Sequence, residues 1–213
     1  ATAFAALANA PAAIDLLRAM KQALGDRLVG FELISGPSLA LTRHHFPTLP
    51  DPLPRHPWYV LLQADDSAAD SPLAAELERA LGATLEAGTV GDVVVAQSGE
   101  QAAALWALRE NIAEAQKRDG PNIKHDISLP VSAIPSFLDE AGNALAKALP
   151  GLRFVIFGHL GDGNLHYNLA APPGVAAETA RGMVRKSSSD FRKPRERTMY
   201  SASAISTTEP PEA

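Results

Sequence analysis

The chain contains no cysteine. Disulfides, thiolate metal sites and cysteine nucleophiles are therefore excluded. No apolar run approaches the roughly 20 residues that a membrane-spanning helix needs. Aromatics make up only 6% of the residues and the net charge is −5, so the composition gives no sign of nucleic-acid binding. Motifs of several enzyme classes are also missing: there is no Gly-x-Ser-x-Gly elbow, P-loop or HExxH helix. The Ala-rich start lacks a basic segment and an initiator Met, so it does not read as a signal peptide. It reads as a chain that begins part-way into something longer, and a cytoplasmic location is expected.

What is present is 213 residues, 46% of them apolar, enough for one large or two small domains with a real core. Strands are expected at 2–7, 28–34, 58–64, 91–96 and 123–129, where apolar residues run or alternate. Helices are expected from Pro11 to Leu24, with Gly25 as the stop, and at 37–45, 72–87, 99–118 and 134–149. Ser98 and Gln101 resemble a capping box. Five prolines in 46–57 make a connector that is neither helix nor central sheet. A further helix is expected near 175–185. The whole is read as α+β, an antiparallel-rich sheet with helices packed mainly on one face. No repeat at a fixed short period is evident. From Arg181 to Thr198 there are seven Lys or Arg against two acids, followed by a Ser/Thr/Pro/Glu-rich end. Residues 181–213 are therefore expected to be a disordered tail, set apart from a domain over 1–180.

Residues 153–170, RFVIFGHLGDGNLHYNLA, carry the strongest functional signal. Two β-like runs flank a Gly-rich turn. If the turn centres on Asp162-Gly163, a good two-residue hairpin pair, His159 stands directly opposite His166, with Cβ atoms roughly 5 Å apart. Two imidazoles so placed suit one shared divalent metal. They equally suit histidines that only hydrogen-bond to neighbours, and the residues alone leave that choice open. Asn168 projects from the same face as His166.

Two cations are further candidates. Arg109 lies beside the apolar stripe Leu105, Leu108 and Ile112. It either snorkels or presents a planar fork to a carboxylate. Lys124 shares a strand face with Asp126 and Ser128, and His125 points the other way. A metal beside a cationic pocket would suit a small anionic oxygen substrate such as a hydroxy acid. His44, His45 and His56 flank the connector and read as surface residues.

ALWALRENI (104–112), IKHDISLP (123–130) and FGHLGDGNLHYN (157–168) closely resemble the C-terminal, substrate-side domain of FAD-linked oxidases, and within that group the D-2-hydroxy-acid dehydrogenases. FELIS (31–35), HPWYVLLQ (56–63) and VVVAQS (93–98) fit the same pattern, and the resemblance covers about residues 1–180. It implies a ferredoxin-like α+β cap over a flavin. It implies that His159 and His166 hold a divalent metal, zinc or manganese. Arg109 and Lys124 would hold the substrate carboxylate, and Asn168 would be a polar group of the pocket. The implied reaction is hydride removal from the α-carbon of a small 2-hydroxy acid to FAD.

The sequence departs from the family's pattern in three places. The flavin-binding domain that should precede this segment is not in it. Neither is the Ser-x-Glu-His-Gly segment that supplies a carboxylate ligand and a catalytic His, and no His follows His166. Ala113 stands where related enzymes can carry a hydroxyl residue. The expectation is thus a truncated oxidoreductase domain, inactive alone, working with a separate FAD-domain chain or as a homo-oligomer. The alternative is a non-catalytic metal- or anion-binding module that keeps the cap fold.

Overall fold

A computed structural model describes residues 1–68, 70–172, 175–176, 178–179 and 182. The expected helix near 175–185 falls largely outside these residues, and so does the tail.

The first half alternates strands and helices. β1 (Thr2–Leu7) leads to α1 (Ala10–Leu24), β2 (Leu28–Ser35), α2 (Gly36–His45), β3 (Trp58–Ala64), α3 (Leu73–Glu86) and β4 (Asp92–Val95). The second half holds α4 (Gly99–Glu110), α5 (Ile112–Asp119), β5 (Asn122–Ile123), β6 (Asp126–Ser128), α6 (Ile134–Ala148), β7 (Arg153–His159) and β8 (Asn164–Ala170). The strands form one antiparallel sheet in the order β4-β1-β3-β2-β7-β8-β5, and β6 also pairs with β8. The β4-β1-β3-β2 half is a split βαβ arrangement of the ferredoxin-like kind. The domain is α+β, as expected.

Local chemistry explains most of the boundaries. The Asn9 side chain accepts from the amide of Ala12 at 2.9 Å, Pro11 occupies the first turn of α1, and Gly25 at φ 59° ends it. Ser98 accepts from the amide of Gln101, and the Gln101 side chain returns a bond to the amide of Gln97. The long helices α1, α3 and α6 bury Leu16, Leu17, Met20, Leu77, Leu81, Ile134 and Leu138 against one sheet face. The expectation of helices mainly on one face describes this larger layer. The other face also carries helix: Leu39 of α2, Leu105 and Leu108 of α4 and Ile112 of α5 pack on Phe4, Leu61, Val155 and Phe157. Burying Leu105, Leu108 and Ile112 is worth roughly 2 kcal/mol each. That packing seats Arg109 above the sheet.

Three expectations need correction. The helix expected over 99–118 is two helices, broken at Asn111. The Asn111 side chain donates to the carbonyl of Ala107 at 2.8 Å, competing with the helix's own bonds. The strand expected over 123–129 is interrupted at Lys124 and His125. There the amide of His125 donates to Oδ1 of Asn168 at 3.1 Å, so a side chain replaces a ladder bond. The hairpin, finally, does not turn on two residues. A 3-10 turn spans Leu160–Asp162, and Gly163 follows at φ 74°. A Cβ on Gly163 would lie 2.0 Å from the carbonyl oxygen of Leu129. Leu160 is fully buried in the main core and draws the turn inward.

Candidate substrate and metal site

The hairpin register sets the site. Phe157, not His159, stands opposite His166, and His159 pairs across its other edge with Glu32 of β2. The expected direct opposition of the two histidines is therefore wrong by two residues. An even slip keeps side chains on their original face. His159 and His166 thus remain on one face as diagonal neighbours, and both line a cleft of about 300 Å³ with Asp126, Ile127, Ser128, Asn164 and Leu165.

Each histidine has its Nδ1 engaged by a carboxylate from a neighbouring strand. His159 Nδ1 lies 2.6 Å from Glu32 Oε1, and His166 Nδ1 lies 2.6 Å from Asp126 Oδ1. A carboxylate only accepts, so both Nδ1 atoms carry the proton and each Nε2 is left for another partner. Metal-binding histidines are commonly held in this way. By that test each imidazole leaves its Nε2 open to a ligand. The set is incomplete, because no group of three His, Cys, Asp or Glu suited to a metal occurs among the described residues.

Arg109 sits at the end of α4. Its Nε donates to Glu32 Oε2 at 2.6 Å, and its guanidinium lies over the Phe157 ring, 4.6 Å from the centroid. The His166 ring packs against the same phenyl group, with centroids 4.7 Å apart. Arg109, Glu32, His159, Phe157, His166 and Asp126 therefore form one connected cluster. Arg109 Nη1 and Nη2 have no hydrogen-bond partner among the described residues.

The other predicted residues lie around this cluster. Lys124 is exposed, and it occupies the register position facing Asn168 between β5 and β6. That puts it two strands from Phe157, roughly 10 Å by strand spacing. The structure does not bring Lys124 into contact with Arg109. Asn168 is buried and committed locally: Oδ1 accepts from the His125 amide, and Nδ2 donates to Gln116 Oε1 at 3.0 Å. Ala113 is exposed in the first turn of α5. His125 is half-buried, and burial holds its imidazole below its ordinary pKa. Burial also pushes the Tyr167 hydroxyl well above its ordinary value.

Sequence reasoning missed Glu32. It is 1% exposed, with both oxygens used, in a strand whose last five residues are all buried. An acid inside so apolar a strand is itself a signal, because buried carboxylates are seldom found unpaired. The strand alternation puts Asp126 on an outer face but does not reveal it as the partner of His166.

The family described as FAD linked oxidases, C-terminal domain, matches residues 1–189. The D-2-hydroxyglutarate dehydrogenase of Xanthomonas citri pv. viticola is 43% identical over 123 residues, covering 57% of this chain and 25% of that protein. The mitochondrial D-2-hydroxyglutarate dehydrogenase of Rattus norvegicus is 36% identical over 159 residues, covering 74% of this chain and 29% of its own length. That of Arabidopsis thaliana is 35% identical over 157 residues, covering 73% and 27%. The chain spans about a quarter to three-tenths of the length of these curated relatives. With the match running over residues 1–189, the chain belongs to the C-terminal domain family of FAD-linked oxidases.

Proposed function

We propose that this domain is the substrate-side part of a flavin-dependent oxidoreductase that converts a D-2-hydroxy acid to the 2-oxo acid, with FAD as hydride acceptor. One observation carries the reading. The fork of Arg109 and the two carboxylate-oriented histidines are joined through Glu32 and Phe157 into one cluster.

A 2-hydroxy acid carries its carboxylate and hydroxyl on adjacent carbons. Arg109 would take the carboxylate with Nη1 and Nη2, a pairing that suits a planar fork. Lys124, exposed at the sheet edge, would add positive charge that attracts the anion. Asn168 retains one amide proton beyond its two local bonds, which is its proposed contribution to the pocket floor. The Nε2 atoms of His159 and His166 would hold a zinc or manganese ion. When bound, such an ion polarises the substrate hydroxyl and lowers its pKa. A third ligand and a base would come from outside the described residues. FAD would be held mainly by another domain, in the same longer protein or in a separate chain, so the domain alone is proposed to be inactive.

The relatives' names make D-2-hydroxyglutarate the first substrate to test, with D-lactate second. No described helix is long and apolar enough to cross a membrane, and a cytoplasmic setting is proposed with the function. The test combines the chain with FAD, a relative's flavin-binding domain and an artificial electron acceptor. Turnover that needs both components and is lost in Arg109→Ala supports the reading. Turnover by the chain with FAD alone refutes the proposed division of labour. Histidine-dependent metal binding without turnover in any combination favours a non-catalytic metal- or anion-binding module.

A further inference from the structure

We propose that Glu32 is the positioning residue of this site, one buried carboxylate that sets both the imidazole of His159 and the guanidinium of Arg109. The proposal rests on the functional reading above for what those two side chains do, but not for the geometry that joins them.

Glu32 comes from β2, in the middle of the sheet, with Leu61 beside it on β3 and His159 beside it on β7. It is 1% exposed, while the His159 side chain is 59% exposed and that of Arg109 14%. The anchor is therefore buried and the groups it holds reach outward. A carboxylate so deep persists only if its charge is matched. Here the two oxygens are divided: Oε1 takes Nδ1–H of His159 and Oε2 takes Nε–H of Arg109, each at 2.6 Å.

This division has two consequences. Because Glu32 can only accept, His159 must keep its proton on Nδ1, and Nε2 faces away from the anchor. Because Arg109 is gripped through Nε alone, its rotation is stopped without using the Nη1 and Nη2 pair. The Phe157 ring lies beneath the guanidinium carbon, 4.6 Å from centroid to carbon. Glutamine cannot substitute. Its amide offers one acceptor and one donor, so its NH2 end must face either Arg109 Nε–H, donor against donor, or His159 Nδ1, which must then give up its proton to accept. Aspartate keeps the charge but is one methylene shorter, and it cannot reach both partners.

The test is NMR on the metal-free chain at mildly alkaline pH, with ¹⁵N-labelled His and Arg side chains. In the wild type, His159 is expected to be protonated at Nδ1, and the Arg109 Nε–H is expected to be protected from solvent exchange. In Glu32→Gln at least one of these signatures is lost while the rest of the spectrum stays dispersed. If Glu32→Gln does not fold, Glu32→Asp takes its place with the same expectation. A wild-type His159 protonated at Nε2, or both signatures unchanged in the variant, overturns the proposal. Zn²⁺ affinity provides a second readout, expected to fall roughly 10- to 100-fold in Glu32→Gln. A wild-type chain that takes up no Zn²⁺ contradicts the metal reading instead, and the imidazole and guanidinium signals then decide the role of Glu32 by themselves.

Discussion

The guanidinium carbon of Arg109 lies over the ring of Phe157, 4.6 Å from its centroid, while its Nε is tied to Glu32. One edge is bonded and the carbon sits over an aromatic ring, so the fork has little freedom left. Arg109→Met keeps the aliphatic stem but strands a buried carboxylate. It should cost about 3 kcal/mol of stability, read as a shift in the urea midpoint. Arg109→Lys keeps the charge and should cost less, yet it should weaken carboxylate binding in the reconstituted enzyme about tenfold or more, since the planar fork is gone.

Gly163 closes the hairpin at φ 74°, with the Leu129 carbonyl in the space a side chain would need. Gly163→Ala should therefore destabilise the domain by about 2 kcal/mol or more. It should also loosen the β6–β8 edge, where Asp126 meets His166. Thermal melting gives the first effect, and amide exchange at Ile127 and Leu165 gives the second. A variant as stable as the wild type would contradict the observed turn.

Asn168 holds the strand edge that presents Lys124. Asn168→Ala removes the acceptor of the His125 amide and leaves Gln116 Oε1 without its donor. The expected cost is about 1–3 kcal/mol. Faster hydrogen exchange at the His125 amide should accompany it, while β1 and β3 stay protected.

His125 makes stability depend on pH. Burial lowers its folded-state pKa, so the unfolded chain binds the proton more readily. The stability contribution is therefore present above the ordinary imidazole range and is lost as pH falls through that range. Replacing His125 with Leu should flatten this part of the curve and leave the slope at lower pH, where carboxylates titrate. Denaturant midpoints of both proteins across that window check the sign.

Much of this architecture is legible in local sequence. Asn9, Pro11 and Gly25 bound α1 because capping chemistry acts within a few residues, and the hairpin segment shows itself by two β-like runs around glycines. The register was not legible, because the burial of Leu160 drew a 3-10 turn into the core where Asp162-Gly163 alone suggested a two-residue turn. The break at Asn111 turned on one side-chain bond inside an otherwise helical pattern. Glu32 was hidden for a different reason. Its partners lie 77 residues away at Arg109 and farther still at His159, and no periodicity reports contacts made by folding β2 against β7 and α4. The face shared by His159 and His166 survived the error because the slip was even.

The most direct test of the account is calorimetric titration of the purified chain with Zn²⁺ and Mn²⁺, alongside His159→Ala and His166→Ala. The account predicts one ion per chain, bound weakly because only two protein ligands are in place among the described residues, and lost in either variant. No binding by the wild type, or binding that both variants retain, would contradict it.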